Sequence, residues 1–332
     1  MKNKLFLFCA LILFSCRKNL KEFKEIRFLM DTICEIKIFC YDSNLAKKAV
    51  DEVFKEVEKI DKKFGYSKES EIEKINSKSG VSFCEVSYEV LNLVKESITL
   101  SKLTDGAFDI TVGVLSHLWG FKNFSNEKKF KIPQKHQIVE ALSLVGYEKI
   151  VIDEEKNRIF LKKRGMKIDL GGIAKGYAIK KAKEILESYG FDKFLINFGG
   201  DIYLKNNTEI PWRVAIQHPR DRNKFLAVLN LYTTSCVTSG DYERYFMLEN
   251  KRYHHIFDPK TGYPADDIVS VTVLCEDPVL ADALSTGIFV LGEKKGIQLA
   301  EKLKIGCIIV KEKKNKLFIY TTQNFKGIDF NL

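Results

Sequence analysis

The chain has 332 residues, of which 45% are hydrophobic and 12% aromatic, a composition that supports a folded core and excludes a disordered chain. The formal net charge is +10, but the lysines are spread over the whole length, and no Lys/Arg stripe interleaved with aromatic residues is present. The charge therefore favours a phosphate-bearing ligand or an anionic surface as partner, and it argues against nucleic acid.

The N-terminal segment has the features of an export signal. A basic start precedes an apolar run, Leu5 to Phe14, which is too short to span a bilayer. The run ends in Leu13-Phe14-Ser15-Cys16, which resembles a bacterial lipoprotein cleavage box. We predict a signal peptide over residues 1–15, lipid on the Cys16 thiol, and a charged tether as far as residue 25. An ordinary signal peptide or an uncleaved anchor is the alternative.

Residues 26–332 contain no internal repeat or low-complexity linker, so we expect one catalytic unit with two lobes. Residues 33–40 alternate between apolar and polar and predict a strand. Helices are predicted from Ser43 and, behind a Ser87 cap, over Tyr88 to Leu103, because apolar residues recur there on one helical face. A short turn or helix is expected at 72–76.

Further strands and helices are predicted in groups along the rest of the chain. Short strands precede a glycine-rich turn, which opens a helix from Ile179 to Tyr189. Two helices, Val279 to Leu291 and Glu293 to Leu303, come before a final strand pair. Strands in runs with inserted helices favour α+β with mixed or antiparallel sheets over a doubly wound sheet. The predicted strands lie at 150–153, 158–162, 194–197, 212–217, 226–232, 252–257, 268–275, 306–311 and 316–321.

The six cysteines beyond the N-terminal segment fit no zinc-binding pattern, since they form no close pair and have no nearby histidine pair. Most lie in apolar, strand-like runs, where cysteine is usually a small core residue. We predict buried thiols at Cys34, Cys40, Cys84, Cys236, Cys275 and Cys307.

The segment Asp169-Leu170-Gly171-Gly172-Ile173-Ala174-Lys175-Gly176-Tyr177 has the pattern of an anion site. Apolar residues Met166 and Ile168 indicate a strand before it, and the amphipathic run indicates a helix after it. Glycines allow close backbone approach to a phosphate, and a helix N-terminus favours negative charge. Lys175 adds a cation, while Asp169 adds a carboxylate that suits a metal ion or a sugar. The alternative is a tight turn that binds nothing.

Asp282 and Thr286 lie four residues apart on a predicted helix and therefore share one face. A carboxylate beside a hydroxyl can hold Mg²⁺, which takes oxygen ligands and keeps several waters. Taken alone, the pair is better explained by an Asp that interacts favourably with the helix dipole and a Thr that bonds within its own helix.

Two histidines, His254 and His255, end a predicted strand before the turn Asp258-Pro259-Lys260-Thr261-Gly262. Neighbouring strand residues point to opposite faces, so only one of them can face a given site. Histidine titrates near neutrality and suits proton transfer. We assign His255 to the site and interpret His254 as a structural strand-end residue.

Six ordered motifs lie between about Phe28 and the C-terminus: Gly106–Thr111, Asp169–Tyr177, Asn197–Asp201, Ser239–Arg244, His255–Pro264 and Ala281–Thr286. Together they resemble the ApbE-like FAD:protein FMN transferases. This resemblance implies a T-fold-like α+β core and Mg²⁺-dependent transfer of FMN from FAD to a Thr or Ser hydroxyl, with release of AMP. The family includes lipoproteins of the bacterial cell envelope, which implies a lipid-anchored domain on the extracytoplasmic side.

The resemblance assigns roles to individual residues. It implies that Mg²⁺ binds Asp282, Thr286 and the backbone carbonyl of Gly172. It implies FAD contacts at Met30, Tyr66, Ala107, Phe108, Asp109, Asp169, Lys175 and Ile256, with Tyr66 stacking on a ring. One departure is Asp31, where family members commonly have glycine.

A Thr hydroxyl is a poor nucleophile until a base takes its proton. His255 is our first candidate for that base, and Asp109 or Asp258 are the substitutes. Three other functions remain open: an FAD pyrophosphatase that yields FMN and AMP, a lipoprotein that binds FAD without turnover, and a surface adhesin or structural lipoprotein. The presence of both Asp282 and Thr286 favours turnover over storage.

Overall fold

The computed structural model describes residues 20–123 and 130–325, together with Ile328, Phe330 and Asn331. The predicted signal peptide and Cys16 lie outside the described residues. Within the described ranges, no helix has both the length and the apolar character that crossing a bilayer requires.

The described part contains fifteen strands and seven helices. The strands are β1 Lys21–Leu29, β2 Thr32–Cys40, β3 Cys84–Glu85, β4 Ile150–Asp153, β5 Arg158–Leu161, β6 Lys193–Phe198, β7 Asp201–Asn206, β8 Trp212–Gln217, β9 Phe225–Leu231, β10 Thr234–Gly240, β11 Tyr245–Leu248, β12 Lys251–His254, β13 Ile268–Cys275, β14 Gly306–Lys313 and β15 Lys316–Thr321. The helices are α1 Ser43–Phe64, α2 Glu71–Ser77, α3 Tyr88–Leu103, α4 Gly113–Leu118, α5 Lys135–Leu144, α6 Ala174–Ser188 and α7 Pro278–Lys302.

An antiparallel eight-stranded sheet forms the centre of the molecule, in the order β1-β2-β6-β7-β10-β13-β14-β15. Period-two alternation buries one face of β2, where Cys34, Ile36 and Ile38 are fully covered. Helices α1 and α6 belong to the core around β2 and β6, and α7 belongs to the core around β13 and β14. The contact of α6 with α7 joins the two halves. The predicted α+β class with antiparallel sheets is confirmed.

Several predicted elements are confirmed, including β2, α1, α3 and the Ser87 cap, whose hydroxyl accepts a hydrogen bond from Val90 N. Residues 21–25 of the predicted tether, however, belong to strand β1. The strand was not predicted there, because these residues are mostly charged and the prediction relied on alternating apolar residues. These charges pair across to β2 instead, with Lys24 Nζ 3.0 Å from Glu35 Oε2.

The strand predicted before the glycine turn is wrong. Lys167 makes only an isolated bridge to Val112. The side-chain amide of Asn76 replaces a strand partner: Ile168 N donates to its Oδ1 at 2.7 Å, and its Nδ2 donates to Ile168 O at 3.0 Å. Helix α6 then begins at Ala174, five residues before the predicted start.

The two helices predicted near the C-terminus are confirmed as the two helical segments of α7, because Gly292 between them has a non-helical backbone with a φ of +77°. Besides β1, four strands were missed: β3, β7, β10 and β11. The polar residues of β7 and β10 give no clear apolar alternation, β3 has only two residues, and β11 is a short apolar run without alternation. The predicted buried thiols are confirmed for five of the six cysteines, and Cys275 is partly exposed.

Candidate active site

A cavity of about 760 Å³ opens where one end of the sheet meets α6 and α7. Its wall includes the β1–β2 turn, the Gly199–Gly200 turn and the end of β10. All twelve residues assigned to the site from the sequence line this cavity: Met30, Tyr66, Ala107, Phe108, Asp109, Asp169, Gly172, Lys175, His255, Ile256, Asp282 and Thr286. Ten of these residues come from four of the six motifs, and the other two motifs line the same cavity through residues such as Asp201 and Ser239.

The β1–β2 turn supplies one rim of the cavity through Met30 and Asp31. Both have left-handed backbone conformations, with φ of +53° and +56°. A two-residue hairpin with two positive φ angles is a type I′ turn, which favours Gly, Asn and Asp. Asp31 therefore adopts the conformation that glycine would adopt there. Met30 N donates to Asp61 Oδ2 at 3.3 Å, which holds the turn on α1.

Tyr66 and Asp169 form a polar pair on the cavity wall. The Tyr66 hydroxyl lies 3.1 Å from both carboxylate oxygens of Asp169, and Gly171 N donates to Asp169 Oδ1 at 2.8 Å. The Asp169 charge, together with burial, raises the pKa of Tyr66. Lys122 Nζ lies 5.7 Å from the centre of the Tyr66 ring. The carboxylate thus orients both the tyrosine and the glycine turn.

Lys175 is the cation at the start of α6, and it is paired with a buried carboxylate. Its ammonium contacts Asp201 Oδ2, and Asp201 is 2% exposed. Burial opposes the charge of Lys175, but the carboxylates of Asp201 and Asp282 outweigh this effect and raise its pKa. Lys175 is therefore held charged and in place at the cavity wall.

The N-terminus of α6 is less open to an anion than the sequence predicted. Gly176 N donates to Oδ2 of Asp282 on α7 at 2.8 Å, so this carboxylate takes the place that a phosphate oxygen would occupy. The N–H groups of Ile173 and Ala174 donate to Leu170 O at 2.9 and 2.8 Å. Lys175 is thus the better placed group for binding a phosphate.

Asp282, Thr286 and Gly172 form an oxygen-rich corner. Thr286 Oγ1 lies 3.3 Å from Ser239 Oγ, and a Cβ on Gly172 would lie 3.2 Å from Thr286 Oγ1. Glycine at 172 thus keeps its backbone close to the Thr286 hydroxyl. Burial, then the charge of Asp201, raises the pKa of Asp282 to about 7.

The donor set at this corner suits Mg²⁺. Within the described residues, no three His, Cys, Asp or Glu side chains are arranged to hold a metal ion. One carboxylate, one hydroxyl and one carbonyl match a cation that keeps waters and binds substrate phosphates, rather than a site made only of protein ligands.

His255 is oriented by the backbone. Its Nδ1 lies 3.2 Å from Arg244 O, and its own N–H donates to the same carbonyl at 3.2 Å. Because a carbonyl oxygen can only accept a hydrogen bond, Nδ1 carries the proton and Nε2 of the neutral ring is unprotonated. Burial, then the charge of Arg244, lowers the pKa of His255 well below its usual value. His255 is therefore a neutral imidazole at pH 7.

His254 has the structural role predicted for it. The side chain is buried, and its Nε2 lies 2.8 Å from Ala265 O. The imidazole edge also contacts the ring of Phe289, at 5.4 Å between ring centres.

The carboxylates of the two substitute bases already accept hydrogen bonds from their own surroundings. Asp109 Oδ1 accepts from Thr111 N and Oγ1 at 2.8 and 2.7 Å, and Oδ2 accepts from Tyr147 N at 2.9 Å. Burial raises the pKa of Asp109 against these hydrogen bonds. Asp258 does not line the cavity, and its Oδ1 accepts from Lys260 N at 2.8 Å within its own turn. Asp109 therefore organises the loop it belongs to.

Within the six motifs, three charged residues of the cavity wall had been assigned no role from the sequence: Asp201, Glu243 and Arg244. Asp201 follows the Gly199–Gly200 turn, where both residues have positive φ. Glu243 and Arg244 follow β10. All three fall within the motifs quoted above, so clustering of charges at strand ends was the signal that could have found them.

Comparisons with known proteins agree with this site. The model of the ApbE family matches residues 30–309. A curated relative from Haemophilus influenzae named FAD:protein FMN transferase is 33% identical, over 96% of this chain and 95% of its own. The crystal structure of the ApbE protein from Thermotoga maritima superposes with a TM-score of 0.85 at 34% identity, covering 92% of this chain and 98% of that one. The flavin transferase ApbE from Vibrio cholerae gives 0.82 at 29% identity, covering 93% and 100%.

Proposed function

The chain belongs to the ApbE family, and from this premise we propose that it transfers FMN from FAD to a Thr or Ser hydroxyl of an acceptor protein. The hydroxyl oxygen forms a bond to the phosphorus of the FMN half. The pyrophosphate bond breaks, AMP leaves with the bridging oxygen, and the hydroxyl proton passes to His255. The observation that carries the proposal is the neutral, tautomer-fixed His255 in the same cavity as Lys175.

The side chains of the cavity divide into a binding part and a reacting part. Ala107, Phe108, Ile256 and Met30 give apolar contact area for the flavin and adenine rings, and Tyr66 gives an aromatic face. Lys175 is placed to bind the pyrophosphate and to offset the charge that develops as AMP leaves. Asp201 fixes Lys175, and Arg244 O fixes the His255 ring.

Asp282, Thr286 and the Gly172 carbonyl would hold Mg²⁺. A metal ion held there would supply positive charge to offset that of the pyrophosphate and of the leaving AMP. Asp282 already spans α6 and α7, because its Oδ2 accepts from Gly176 N. The Asp282 carboxylate therefore ties the metal corner to the turn that carries Lys175.

We further propose that the enzyme is a lipoprotein of the bacterial cell envelope. Cleavage before Cys16 would leave lipid on its thiol and the catalytic domain on the extracytoplasmic side of a membrane. The support is the N-terminal sequence: a basic start, a short apolar run and the box that ends in Cys16.

The proposed transfer is tested with purified protein, FAD and Mg²⁺, with and without a flavin-acceptor domain. Transfer predicts that AMP is released only when the acceptor is present, while free FMN stays low. Equal amounts of AMP and FMN without acceptor would instead identify an FAD pyrophosphatase. Bound FAD that stays intact in both reactions would identify a binding protein.

A further inference from the structure

The outer face of the β1–β2 hairpin carries an exposed apolar patch made of Ile26, Phe28 and Ile33. Phe28 pairs directly with Ile33 across the hairpin, and Ile26 lies two residues before Phe28 on the same face. Their exposed fractions are 51%, 71% and 62%. The neighbouring residues Arg27 and Cys34 point to the other face, where Arg27 lies over the Phe54 ring and Cys34 is buried. The patch is therefore not part of the core.

This patch is continuous with the rim of the cavity. Phe28 is two residues before Met30 and Ile33 is two residues after Asp31, and both turn residues line the cavity. Contiguous exposed apolar side chains beside a site commonly mark a surface that a partner covers. A chain that lies across the β1–β2 turn would therefore contact the patch.

We propose that the patch of Ile26, Phe28 and Ile33 docks the acceptor protein by receiving apolar side chains of the segment that carries the target hydroxyl. This inference rests on the proposed transfer reaction. A cavity of about 760 Å³ that already holds FAD has no room for a folded protein. The segment of the acceptor that contains the target Thr or Ser must instead bind across the rim of the cavity. The patch is an apolar surface at that rim.

A membrane surface is the competing occupant, and the geometry favours it less. The predicted lipid anchor precedes Lys21, at the opposite end of β1 from Phe28. Seven residues of extended strand separate these positions by roughly 20 Å. The apolar patch thus lies at the end of the strand that faces the site and not at the end that leads to the anchor.

The test compares the double variant Phe28→Ser/Ile33→Ser with the control Val139→Ser/Ile210→Ser. The control residues are 60% and 73% exposed and do not line the cavity. The probe is a purified flavin-acceptor domain. The acceptor KM, kcat, FAD affinity and binding to vesicles of phosphatidylcholine and phosphatidylglycerol are measured for each protein.

The patch variant should raise the acceptor KM by about tenfold, as loss of two partly buried apolar contacts would. Its kcat and FAD affinity should match those of the control, which also shows that it folds. An acceptor KM equal to that of the control would overturn the docking surface while leaving the transfer reaction intact. A loss of vesicle binding with an unchanged acceptor KM would overturn it in favour of the membrane. Intact acceptor with the wild-type enzyme would overturn both proposals.

Discussion

At the scale of single residues, substitution of Lys175 tests whether a specific cation or the overall charge of +10 holds FAD. Lys175→Ala should weaken FAD binding by about 1–3 kcal/mol, the range for losing a charge-assisted hydrogen bond. The change also leaves Asp201 unpaired, so the double variant Lys175→Ala/Asp201→Asn separates a lost cation from an added buried anion. Calorimetric titration with FAD measures both.

Lys302→Ala is the matched control, because Lys302 is exposed at the end of α7. It should bind FAD like the wild type. Equal weakening by Lys175→Ala and Lys302→Ala would mean that the diffuse positive field holds the ligand.

Substitutions of Asp282 and His255 are expected to lower the activity in different ways. Asp282→Ala removes the carboxylate of the proposed Mg²⁺ site, so activity should fall severely and recover in part at high Mg²⁺. His255→Ala should keep Mg²⁺ affinity and slow the chemical step by roughly 10²–10⁴-fold, the range for a general base. Rates measured against Mg²⁺ concentration separate the two. Rescue of His255→Ala by Mg²⁺, with none for Asp282→Ala, would reverse the assignment.

The pH profile gives a second readout for His255. Its lowered pKa keeps the imidazole unprotonated below pH 6.5, so at saturating Mg²⁺, which competes with protonation of Asp282, the wild-type rate should hold as pH falls through the usual histidine range. The residual rate of His255→Ala should climb with pH, since hydroxide or a deprotonated acceptor replaces the base. A wild-type rate that halves near pH 6.5 at saturating Mg²⁺ would contradict a depressed pKa of His255.

At the scale of elements, the close packing of α6 on α7 positions Lys175 and Asp282. A Cβ on Gly176 would lie 2.3 Å from Pro278 O and 2.8 Å from Asp282 Cβ. Gly176→Ala should therefore push the helices apart and cost about 1–3 kcal/mol of unfolding free energy. Urea denaturation measures this cost. Glu184→Ala, on an exposed position of α6, should change stability little, and equal stability of the two variants would refute the packing argument.

The sequence predicted elements where one physical signal was clear, as in β2 and in α3 with its Ser87 cap. It could not predict β10, whose Thr and Ser side chains lack apolar alternation, although this strand brings Ser239 to the Thr286 hydroxyl. The Asn76 amide that replaces a strand before the glycine turn is also a long-range contact without a local signal.

At the scale of the whole molecule, the candidate site was more predictable than the fold around it. Ten residues from distant motifs line one cavity together with Met30 and Tyr66, because the motifs contain the side chains that the reaction needs. The ion pair of Lys175 with Asp201 was not predictable, since it depends on how the β6–β7 turn meets α6. The hydrogen bond from Gly176 N to Asp282 was not predictable either, because the two residues lie on different helices and are 106 positions apart in the sequence.

The proposed lipid anchor is also a property of the whole molecule. Metabolic labelling with palmitate should mark the wild-type protein and leave Cys16→Ala unlabelled, because the thiol of Cys16 is the proposed attachment point. Cys275→Ala serves as a control and should label like the wild type. Equal labelling of the wild type and Cys16→Ala would refute the anchor and leave the enzyme assignment unaffected.

The central claim is that a protein hydroxyl, and not water, attacks the pyrophosphate of FAD. A single-turnover reaction in ¹⁸O-labelled water, with an acceptor domain, tests this claim most directly. Transfer predicts an acceptor that carries FMN through a phosphoester on Thr or Ser, one AMP for each flavin transferred, and no ¹⁸O in either phosphate. An unmodified acceptor, with ¹⁸O in the phosphate of released FMN or AMP, would contradict the account.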